Sequence, residues 1–378
     1  MNYGLSATST LIIADLYISE ARFGLLATAC FLSAALSSVS LGRLSDRVSG
    51  RVQLLLIFGG TALALILTAL SHSYLWLLVA VALAGPAQAI FNPTTNRVIT
   101  HHVEPARRPG WLGIKQSGVQ ASQLFSSLFF PAAALLVGWR GSAAGAAVVM
   151  GALLLYSWNK LPADPPPPLL PAGGAAGVVG RQPFPPTVWL LAGFALLSGA
   201  GMQATNVYLP LFAQRELGFS LLLAGAAAAA AGVVGVASRI LWGRRMAGGT
   251  AVPVLLMTLA VGAIGGAGLL LAAGQTGSPM LLWSGVVLHG TTVLGVNVVV
   301  MAAVLREVAP ERVGAASGVV SLGMYAGFAA GPLAMGLLLQ YSGGFLAGWI
   351  VVAAGYLVCV LLALVLHRVS TRTPAAVS

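Results

Sequence analysis

Long apolar runs separated by short loops constrain what this chain can fold into more than any other feature. Crossing the roughly 30 Å hydrocarbon core of a bilayer takes about 20 helical residues, and on that measure the sequence predicts twelve spans. Only 7% of the 378 residues are charged, whereas a soluble domain carries about 25%. We therefore expect an all-α integral membrane protein, because lipid offers no partners for unpaired backbone groups. The predicted spans 1 to 12 are residues 1–18, 21–42, 52–71, 74–97, 110–137, 142–160, 188–212, 219–243, 252–273, 279–304, 314–339 and 344–367.

Span 1 differs from the others because only fourteen residues precede Asp15 and none of them is basic. A secretory signal peptide has a positively charged start and a cleavage pattern, and this segment has neither. We expect that the true start of the protein lies upstream and that span 1 is N-terminally truncated at its cytoplasmic end.

The basic residues predict the orientation in the membrane. The net charge is +11, but the nineteen lysines and arginines are spread through loops, which does not favour a nucleic-acid partner. With both termini inside, fourteen lie on the cytoplasmic side, three lie outside, and two, Lys115 and Arg239, lie within spans. This positive-inside bias predicts a multi-pass protein of a bacterial inner membrane with both termini in the cytoplasm.

The chain divides into two halves with the same pattern. Residues 161–187 contain nine prolines and predict a semi-rigid cytoplasmic linker between an N-terminal six-helix bundle, 1–160, and a C-terminal one, 188–378. Four residues of the first half recur in the second at nearly constant offsets, 201 or 205 residues later, which indicates a duplicated unit. The matching pairs are Gly42 and Gly243, Gly85 and Gly290, Asn92 and Asn297, and Pro131 and Pro332.

The loop between spans 2 and 3 carries a recognisable motif. Residues 42–51 read GRLSDRVSGR, and this loop resembles the signature loop of the major facilitator superfamily. The twelve-span plan with duplicated halves is similar to that family over the whole chain. The second copy has degenerated, with Ala247 where Asp46 would recur. The resemblance implies two pseudo-symmetric six-helix bundles around a substrate site near the membrane midplane.

The same resemblance implies a cytoplasmic gate at this loop. Gly42 is expected to end span 2 in a tight turn. Asp46 is expected to pair with an arginine and to meet the start of span 11, which would hold the two halves together. The alternative is that the arginines only set the topology and that Asp46 caps a helix. The expected gate residues are Gly42, Arg43, Asp46, Arg47, Arg51 and Arg97.

Polar side chains inside the spans are candidates for the substrate site. The resemblance implies that spans 1, 4, 7 and 10 line a cavity, flanked by spans 2, 5, 8 and 11. Amides in a membrane either line a cavity or bond helices to each other, and the sequence leaves both open. The candidates are Tyr3, Ser6, Thr10, Gln88, Asn92, Asn96, Gln116, Gln120, Gln123, Gln203, Asn206, Tyr208, Thr292, Asn297 and Tyr325.

Lys115 and Arg239 are the charges within spans, and an ionisable residue in a membrane indicates function. In the family that the chain resembles, spans 5 and 8 face each other, so the two cations could share one anion. The spacing of Arg239 and Gly243 also resembles monocarboxylate and oxalate carriers, in which this arginine meets a carboxylate, and guanidinium binds carboxylates bidentately. The alternative is snorkelling, because both residues are expected only about 6–8 Å from the cytoplasmic ends of their helices.

His289 in span 10 is a candidate for carrying a coupling proton, because histidine titrates near neutral pH. The alternative is a neutral buried histidine hydrogen-bonded between helices. His101 and His102 are adjacent in a predicted loop and lack the spacing of a helical metal pair, so we expect no metal and no cofactor.

These patterns favour a carrier over other classes of membrane protein. The sequence contains no nucleophile elbow, metal cluster or paired catalytic acids, which argues against a membrane-embedded enzyme. Two drug-exporter features are also missing, because Gly85 stands where those proteins have an arginine and Phe130-Pro131 replaces a Gly-Pro step. We expect a monomeric, proton-linked symporter that takes up a small organic anion. The alternatives are efflux of a hydrophobic drug-like compound or metabolite and, more remotely, an enzyme in the membrane.

Overall fold

The computed structural model describes residues 1–45, 48–104, 108–160, 184–308 and 313–372, apart from individual side chains on spans 2, 4, 5, 10, 11 and 12. Every element in these ranges is helical. The helices are Asn2–Ala7, Ser9–Leu16, Glu20–Ser45, Gly50–Leu54, Leu55–Gly59, Gly60–Ala69, Tyr74–His102, Arg108–Lys160, Pro186–Leu217, Leu221–Ala247, Val252–Thr276, Pro279–Val293, Val296–Glu307, Val313–Ser342 and Phe345–Arg372.

Ten helical segments in the described ranges are long and apolar enough to cross a membrane. One of them belongs to Arg108–Lys160, whose 53 residues would extend about 80 Å as one straight helix. The backbone leaves the helical conformation at Gly138, with φ 71° and ψ 170°, and Ser142 Oγ then donates to the Phe130 oxygen at 3.1 Å. The two legs therefore run back along each other as spans 5 and 6. With the short helices of span 1, the predicted twelve spans are present.

Three spans are interrupted, which hydropathy does not predict. Span 1 breaks at Thr8, with φ −112° and ψ 21°. Span 3 contains a π-helical turn at Leu55–Gly59. Span 10 consists of two helices separated by Leu294 and Gly295. Discontinuous helices of this kind expose backbone groups at membrane depth, where they line cavities or meet side chains of a neighbour.

Several helix ends differ from the prediction. Gly42 does not end span 2, because the helix continues to Ser45. Glycine in a helix interior costs only about 1 kcal/mol relative to alanine, so a helix can continue through Gly42. Span 4 continues to His102, so His101 and His102 end a helix and do not form a loop. Span 8 continues to Ala247, four residues beyond the predicted end.

Glycines bring the two halves together along spans 5 and 8. A Cβ on Gly225 would lie 2.5 Å from the Ser127 oxygen, and a Cβ on Gly232 would lie 2.9 Å from the Gln120 oxygen. The backbones of the two helices therefore touch, as small residues permit in membrane proteins. The expected facing of spans 5 and 8 is confirmed.

Polar contacts join the halves at the end of the bundle opposite the linker, where span 1 meets span 2 and span 7 meets span 8, which we call the distal end. Glu20 of span 2 forms an ion pair with Arg215 at the end of span 7. The Tyr208 hydroxyl donates to the Glu20 main-chain oxygen at 2.6 Å, and Thr28 Oγ1 donates to the Ala329 oxygen at 2.6 Å. These contacts close the distal end across the two halves.

Candidate functional site

A cavity of about 510 Å³ lies between the two halves. Its walls come from spans 1 to 5 of the first half and from spans 7, 8, 10 and 11 of the second. The wall residues lie in the middle turns of their helices and in the adjoining turns towards the end of the bundle that carries the linker, for example those within 87–91 of span 4, 118–122 of span 5, 293–300 of span 10 and 320–328 of span 11. The cavity therefore lies nearer this linker end, while the distal end is closed.

Arg239 lies in the wall of this cavity. It is half-buried, and its Nε lies 3.5 Å from the Leu294 main-chain oxygen. Because span 8 continues to Ala247, Arg239 lies eight residues, about 12 Å, from the helix end, rather than the 6–8 Å expected from the sequence. Tyr3 of span 1 lines the same cavity as Arg239. The depth and the cavity both disfavour snorkelling.

The interruption of span 10 supplies the main-chain oxygens that hold span 8 in place. Ser238 Oγ donates to the Thr291 oxygen at 2.6 Å, and Trp242 Nε1 donates to the same oxygen at 2.7 Å. A Cβ on Gly295 would lie 2.8 Å from Ser238 Oγ and would overlap the Trp242 ring. Glycine at this position therefore allows spans 8 and 10 to approach closely beside Arg239.

Two amide oxygens in the cavity wall have no hydrogen-bond partner in the described part of the chain. They are Gln120 Oε1 and Asn297 Oδ1, both buried. A buried polar atom without a partner costs free energy, of order 1–3 kcal/mol. Both oxygens have almost no accessible surface, so they lie against neighbouring helices and do not face the open part of the cavity.

Aromatic rings form another part of the wall. Phe31 of span 2 packs edge-on against Phe328 of span 11, with ring centroids 5.4 Å apart, and Phe328 packs against Tyr325 at 5.9 Å. All three residues line the cavity. Phe91 lines it from span 4, with Lys115 Nζ 5.8 Å from its ring centroid.

Several residues predicted from the sequence do line the cavity, and others lie elsewhere. Lys115 is half-buried, and its Nζ lies over the ring of Phe91, which is a wall residue. Lys115 itself does not line the cavity. Asn206 is buried, donates to Gln203 Oε1 at 3.0 Å and accepts from Gln123 Nε2 at 3.5 Å, so it bonds helices together. The predicted residues in the wall are Tyr3, Gln88, Gln120, Gln203, Arg239, Asn297 and Tyr325.

His289 is buried away from the cavity wall. Its Nε2 lies 2.8 Å from the Tyr356 hydroxyl and 3.4 Å from Thr205 Oγ1. These contacts join spans 10, 12 and 7 within the second half, as expected for a histidine bonded between helices. The proton-carrying role stays a prediction.

Other predicted residues serve contacts outside the cavity or lie outside the description. Thr10 Oγ1 donates to Gln214 Oε1 at 2.8 Å, which adds a contact at the distal end. The Arg51 guanidinium lies 5.8 Å from the Trp158 ring centroid, within the first half. Asp46 and Arg47 lie outside the described part of the structure, and so do the surroundings of Gly42 and the side chains of Arg43, Asn92, Asn96, Arg97 and Gln116.

Of the three rings in the aromatic wall, the sequence predicted Tyr325 but not Phe31 or Phe328, and it did not predict that Gln120 Oε1 is left without a partner. Phe31 and Phe328 are two of thirteen phenylalanines in an apolar chain, so nothing in the sequence marks them. Gln120 is one of three predicted glutamines on span 5. Of the two whose side chains are described, Gln120 lines the cavity and lies against Gly235 of span 8, whereas Gln123 donates to Asn206 and to the Ala228 oxygen.

Comparison with known proteins places this geometry in a family. The sequence matches the family model for the Major Facilitator Superfamily over residues 1–298. No curated protein sequence matches the chain. Among solved structures, the fold is similar to a bacterial homologue of the human lysosomal transporter Spinster in an inward-facing, occupied conformation. That match has a TM-score of 0.81 and 18% identity, and it covers 98% of this chain and 93% of the other.

Two further structures have the same fold. The unoccupied inward-facing form of the Spinster homologue matches with a TM-score of 0.79 and 17% identity over 99% of this chain and 95% of that one. The nucleoside transporter NupG matches with a TM-score of 0.76 and 14% identity over 97% of this chain and 95% of its own. At these identities the similarity establishes the fold and not the substrate.

Proposed function

The chain belongs to the Major Facilitator Superfamily and is a multi-pass membrane transporter, not an enzyme, and we propose that it takes up a small organic anion together with a proton by alternating access. Arg239 in the wall of the cavity carries this proposal. A guanidinium presents donors in a planar fork that matches a carboxylate. A permanent cation at this depth is costly unless it serves an anion or another polar partner.

The predicted orientation gives the state of the carrier. The positive-inside bias assigns the linker end to the cytoplasm. The cavity then lies on the cytoplasmic side, and the closed distal end faces outward, so the conformation is inward-facing. Outward opening requires the Glu20–Arg215 ion pair and the main-chain contacts at the distal end to separate. The proposed location is a bacterial inner membrane, with both termini cytoplasmic and the protein acting as a monomer.

A second candidate, efflux of a hydrophobic compound, is favoured by the aromatic wall of Phe31, Phe328 and Tyr325. An apolar substrate would pack on these rings and would not need Arg239. The two candidates therefore differ in whether transport depends on the guanidinium.

Counterflow in proteoliposomes tests the proposal. Proteoliposomes are loaded with each unlabelled carboxylate of a panel in turn. Those loaded with the substrate are expected to accumulate its labelled form from outside, and an inward proton gradient is expected to increase uptake. Arg239→Gln should reduce counterflow at least about 10-fold, as expected when a charge-assisted bond worth 1.4 kcal/mol or more is lost. The matched control is Arg245→Gln, which removes the same charge from an exposed position on the same helix. Undiminished carboxylate counterflow in Arg239→Gln would contradict the role of Arg239, and a wild type that exchanges none of the carboxylates would contradict the anion proposal and favour efflux.

A further inference from the structure

We propose that Gln203 of span 7 determines specificity in the cavity. The transported anion carries, besides its acidic group, a hydrogen-bond acceptor such as a carbonyl oxygen, which bonds to the Gln203 amide nitrogen. This inference rests on the proposed function and narrows its substrate class. It is carried by three buried amides in contact, Gln123, Asn206 and Gln203, which we call the amide relay.

The amide relay begins at a main-chain oxygen. Gln123 of span 5 is 1% exposed, and its Nε2 lies 3.3 Å from the Ala228 oxygen of span 8. The two ends of a glutamine amide have nearly the same shape, but a main-chain oxygen only accepts hydrogen bonds. The end of Gln123 that meets Ala228 is therefore the nitrogen, and this contact fixes the orientation of the first amide.

The orientation of Gln123 determines the orientations of the next two amides. Its nitrogen also donates to Asn206 Oδ1 at 3.5 Å, so the other end of the Asn206 amide is its nitrogen. Asn206 Nδ2 donates to Gln203 Oε1 at 3.0 Å. Reversing any one of the three amides would place two donors or two acceptors against each other and lose a hydrogen bond. The oxygen of Gln203 is thus occupied, and its nitrogen is the end left open.

This open nitrogen belongs to the cavity wall. Gln203 lines the cavity, whereas Gln123 and Asn206 do not. The Gln203 side chain is 3% exposed, and its Nε2 keeps accessible surface while having no hydrogen-bond partner among the described residues. A largely buried donor without a partner costs free energy, which a ligand with an acceptor recovers. The amide relay therefore presents one donor to the cavity in a fixed orientation.

Two other amides of the wall have the same polarity. Gln120 Oε1 and Asn297 Oδ1 lie against neighbouring helices with almost no accessible surface, so the nitrogens are the open ends of these side chains. Gln88 of span 4 differs, because its nitrogen donates to Cys30 Sγ at 3.3 Å. Together with the Arg239 guanidinium, nitrogen donors come from spans 5, 7, 8 and 10, and they favour a ligand rich in oxygen acceptors.

A fixed donor at Gln203 distinguishes three kinds of ligand group. A carbonyl oxygen completes the hydrogen bond of Nε2, and a methylene group leaves this nitrogen unpaired. An ammonium group only donates, so it meets a second donor. A site built to bond a polar group discriminates strongly against an analogue that lacks it, because its own polar atom is then left without a partner.

Binding of matched phenyl acids to purified protein tests the inference. The parent acid is 4-phenylbutanoate, and its two oxo derivatives, 2-oxo-4-phenylbutanoate and 4-oxo-4-phenylbutanoate, place a carbonyl at different distances from the carboxylate. Wild type is expected to bind at least one oxo acid about 10-fold or more tightly than the parent. The amino acid with an ammonium group at the same carbon should bind no more tightly than the parent. This comparison needs no variant protein.

Two substitutions at Gln203 remove the donor. Gln203→Met is near-isosteric and should reduce the oxo preference to about 3-fold or less, while the affinity for 4-phenylbutanoate is kept. Gln203→Glu keeps an oxygen for Asn206 and replaces only the open nitrogen by oxygen. It should also lose the oxo preference, because the new charge acts on the oxo acid and on its parent alike.

Asn206→Leu tests the positioning of the donor. It keeps the Gln203 amide but removes the group that orients it, so the oxo preference should fall although Gln203 is intact. A merely structural role of Asn206 would lower the melting temperature or weaken the binding of both acids equally, and would leave their ratio unchanged.

The matched control is Gln214→Met, the same substitution on the same helix. Gln214 accepts from Thr10 Oγ1 at 2.8 Å at the distal end and does not line the cavity. This variant should keep the full oxo preference. Thermal unfolding of each purified variant shows whether it is folded.

The outcomes separate this inference from the proposed function. If wild type binds the acids without preferring either oxo acid, or prefers an ammonium analogue, the inference fails and the anion carrier stands. A full oxo preference in folded Gln203→Met also overturns it, and a full preference in Asn206→Leu overturns the amide relay. If wild type binds none of the acids, the inference and the anion proposal are both contradicted. An oxo preference that is lost in Gln203→Met and kept in Gln214→Met supports the inference.

Discussion

The Nε of Arg239 lies 3.5 Å from the main-chain oxygen of Leu294, at the interruption of span 10. In a continuous helix that oxygen would accept from an amide four residues later. The break makes it available to span 8 and fixes the arginine stem beside the cavity. The geometry of the proposed anion site thus depends on a backbone feature of the neighbouring helix.

We expect Arg239→Lys to impair the carrier although it keeps the positive charge. An ammonium is a point charge and cannot form the two parallel bonds of a guanidinium with a carboxylate. The predicted result is an at least about 10-fold higher half-saturating substrate concentration in counterflow, with the melting temperature of the purified protein unchanged. The same change at the exposed Arg245 should have no effect. Equal affinity in Arg239→Lys would show that only charge matters.

We expect Gly295→Ala to separate spans 8 and 10. The added methyl would overlap the Trp242 ring and approach Ser238 Oγ to 2.8 Å. Overpacking of this kind costs about 1–3 kcal/mol, and it should lower both the melting temperature and transport. The control is Gly268→Ala in span 9, where an added Cβ meets nothing within 4 Å. A Gly295→Ala protein as stable and active as Gly268→Ala would contradict the close packing.

We expect loss of the Glu20–Arg215 ion pair to favour outward opening. The pair bridges the halves only while the distal end is closed, and at 20% and 40% side-chain exposure it should be worth about 0.2–1 kcal/mol. Arg215→Gln should therefore shift the population towards the outward-open form by up to about 5-fold. Distances between spin labels on the two halves at the distal end measure this shift.

Arg22→Gln is the matched control for that experiment. Arg22 also lies at the distal end, but its guanidinium contacts the Tyr74 ring, 5.6 Å from the centroid, within the first half. Its loss should leave the distance distribution unchanged. The same shift in both variants would indicate a general effect of charge and not a latch.

His289→Gln separates the two interpretations of that residue. If His289 carries the coupling proton, the variant should lose accumulation driven by a pH gradient and keep counterflow. Tyr356→Phe provides the comparison, because it removes the 2.8 Å partner of His289 Nε2 but keeps the imidazole. That change should cost about 1–3 kcal/mol of stability and leave proton-driven accumulation in place. Retained proton-driven uptake in His289→Gln would assign the residue a structural role.

Hydropathy and charge were enough to predict the helical membrane fold, because lipid restricts the backbone to helices of known length. They could not place the breaks at Thr8 or at Leu294 and Gly295, which depend on local dihedral angles and on a neighbouring helix. The depth of Arg239 was underestimated because span 8 continues into Arg244 and Arg245, basic residues that mark a helix end in a sequence.

The sequence also could not predict which buried amides bond helices together and which are left without a partner. Asn206 and Gln120 are both buried amides on helices that border the cavity, and nothing local to either distinguishes them. Asn206 finds partners in Gln203 and Gln123 on adjacent turns and an adjacent helix. Gln120 Oε1 faces Gly235, which offers neither a donor nor a side chain. Tertiary packing alone makes one of them structural and leaves the other unpaired.

The contact of Gly225 and Gly232 with span 5 has a mechanical consequence. Where two helices meet largely backbone to backbone, few side chains have to move when one helix pivots on the other; here Pro131 at Gly225 and Gln120 at Gly235 are the side chains that lie in the gap. Such a contact allows one half to rotate against the other with little change in side-chain packing. Resistance to this rotation would then come from polar contacts between the halves at the ends of the bundle, such as the Glu20–Arg215 ion pair. Changes to those contacts would alter the rate of the transport cycle and leave the contact between spans 5 and 8 intact.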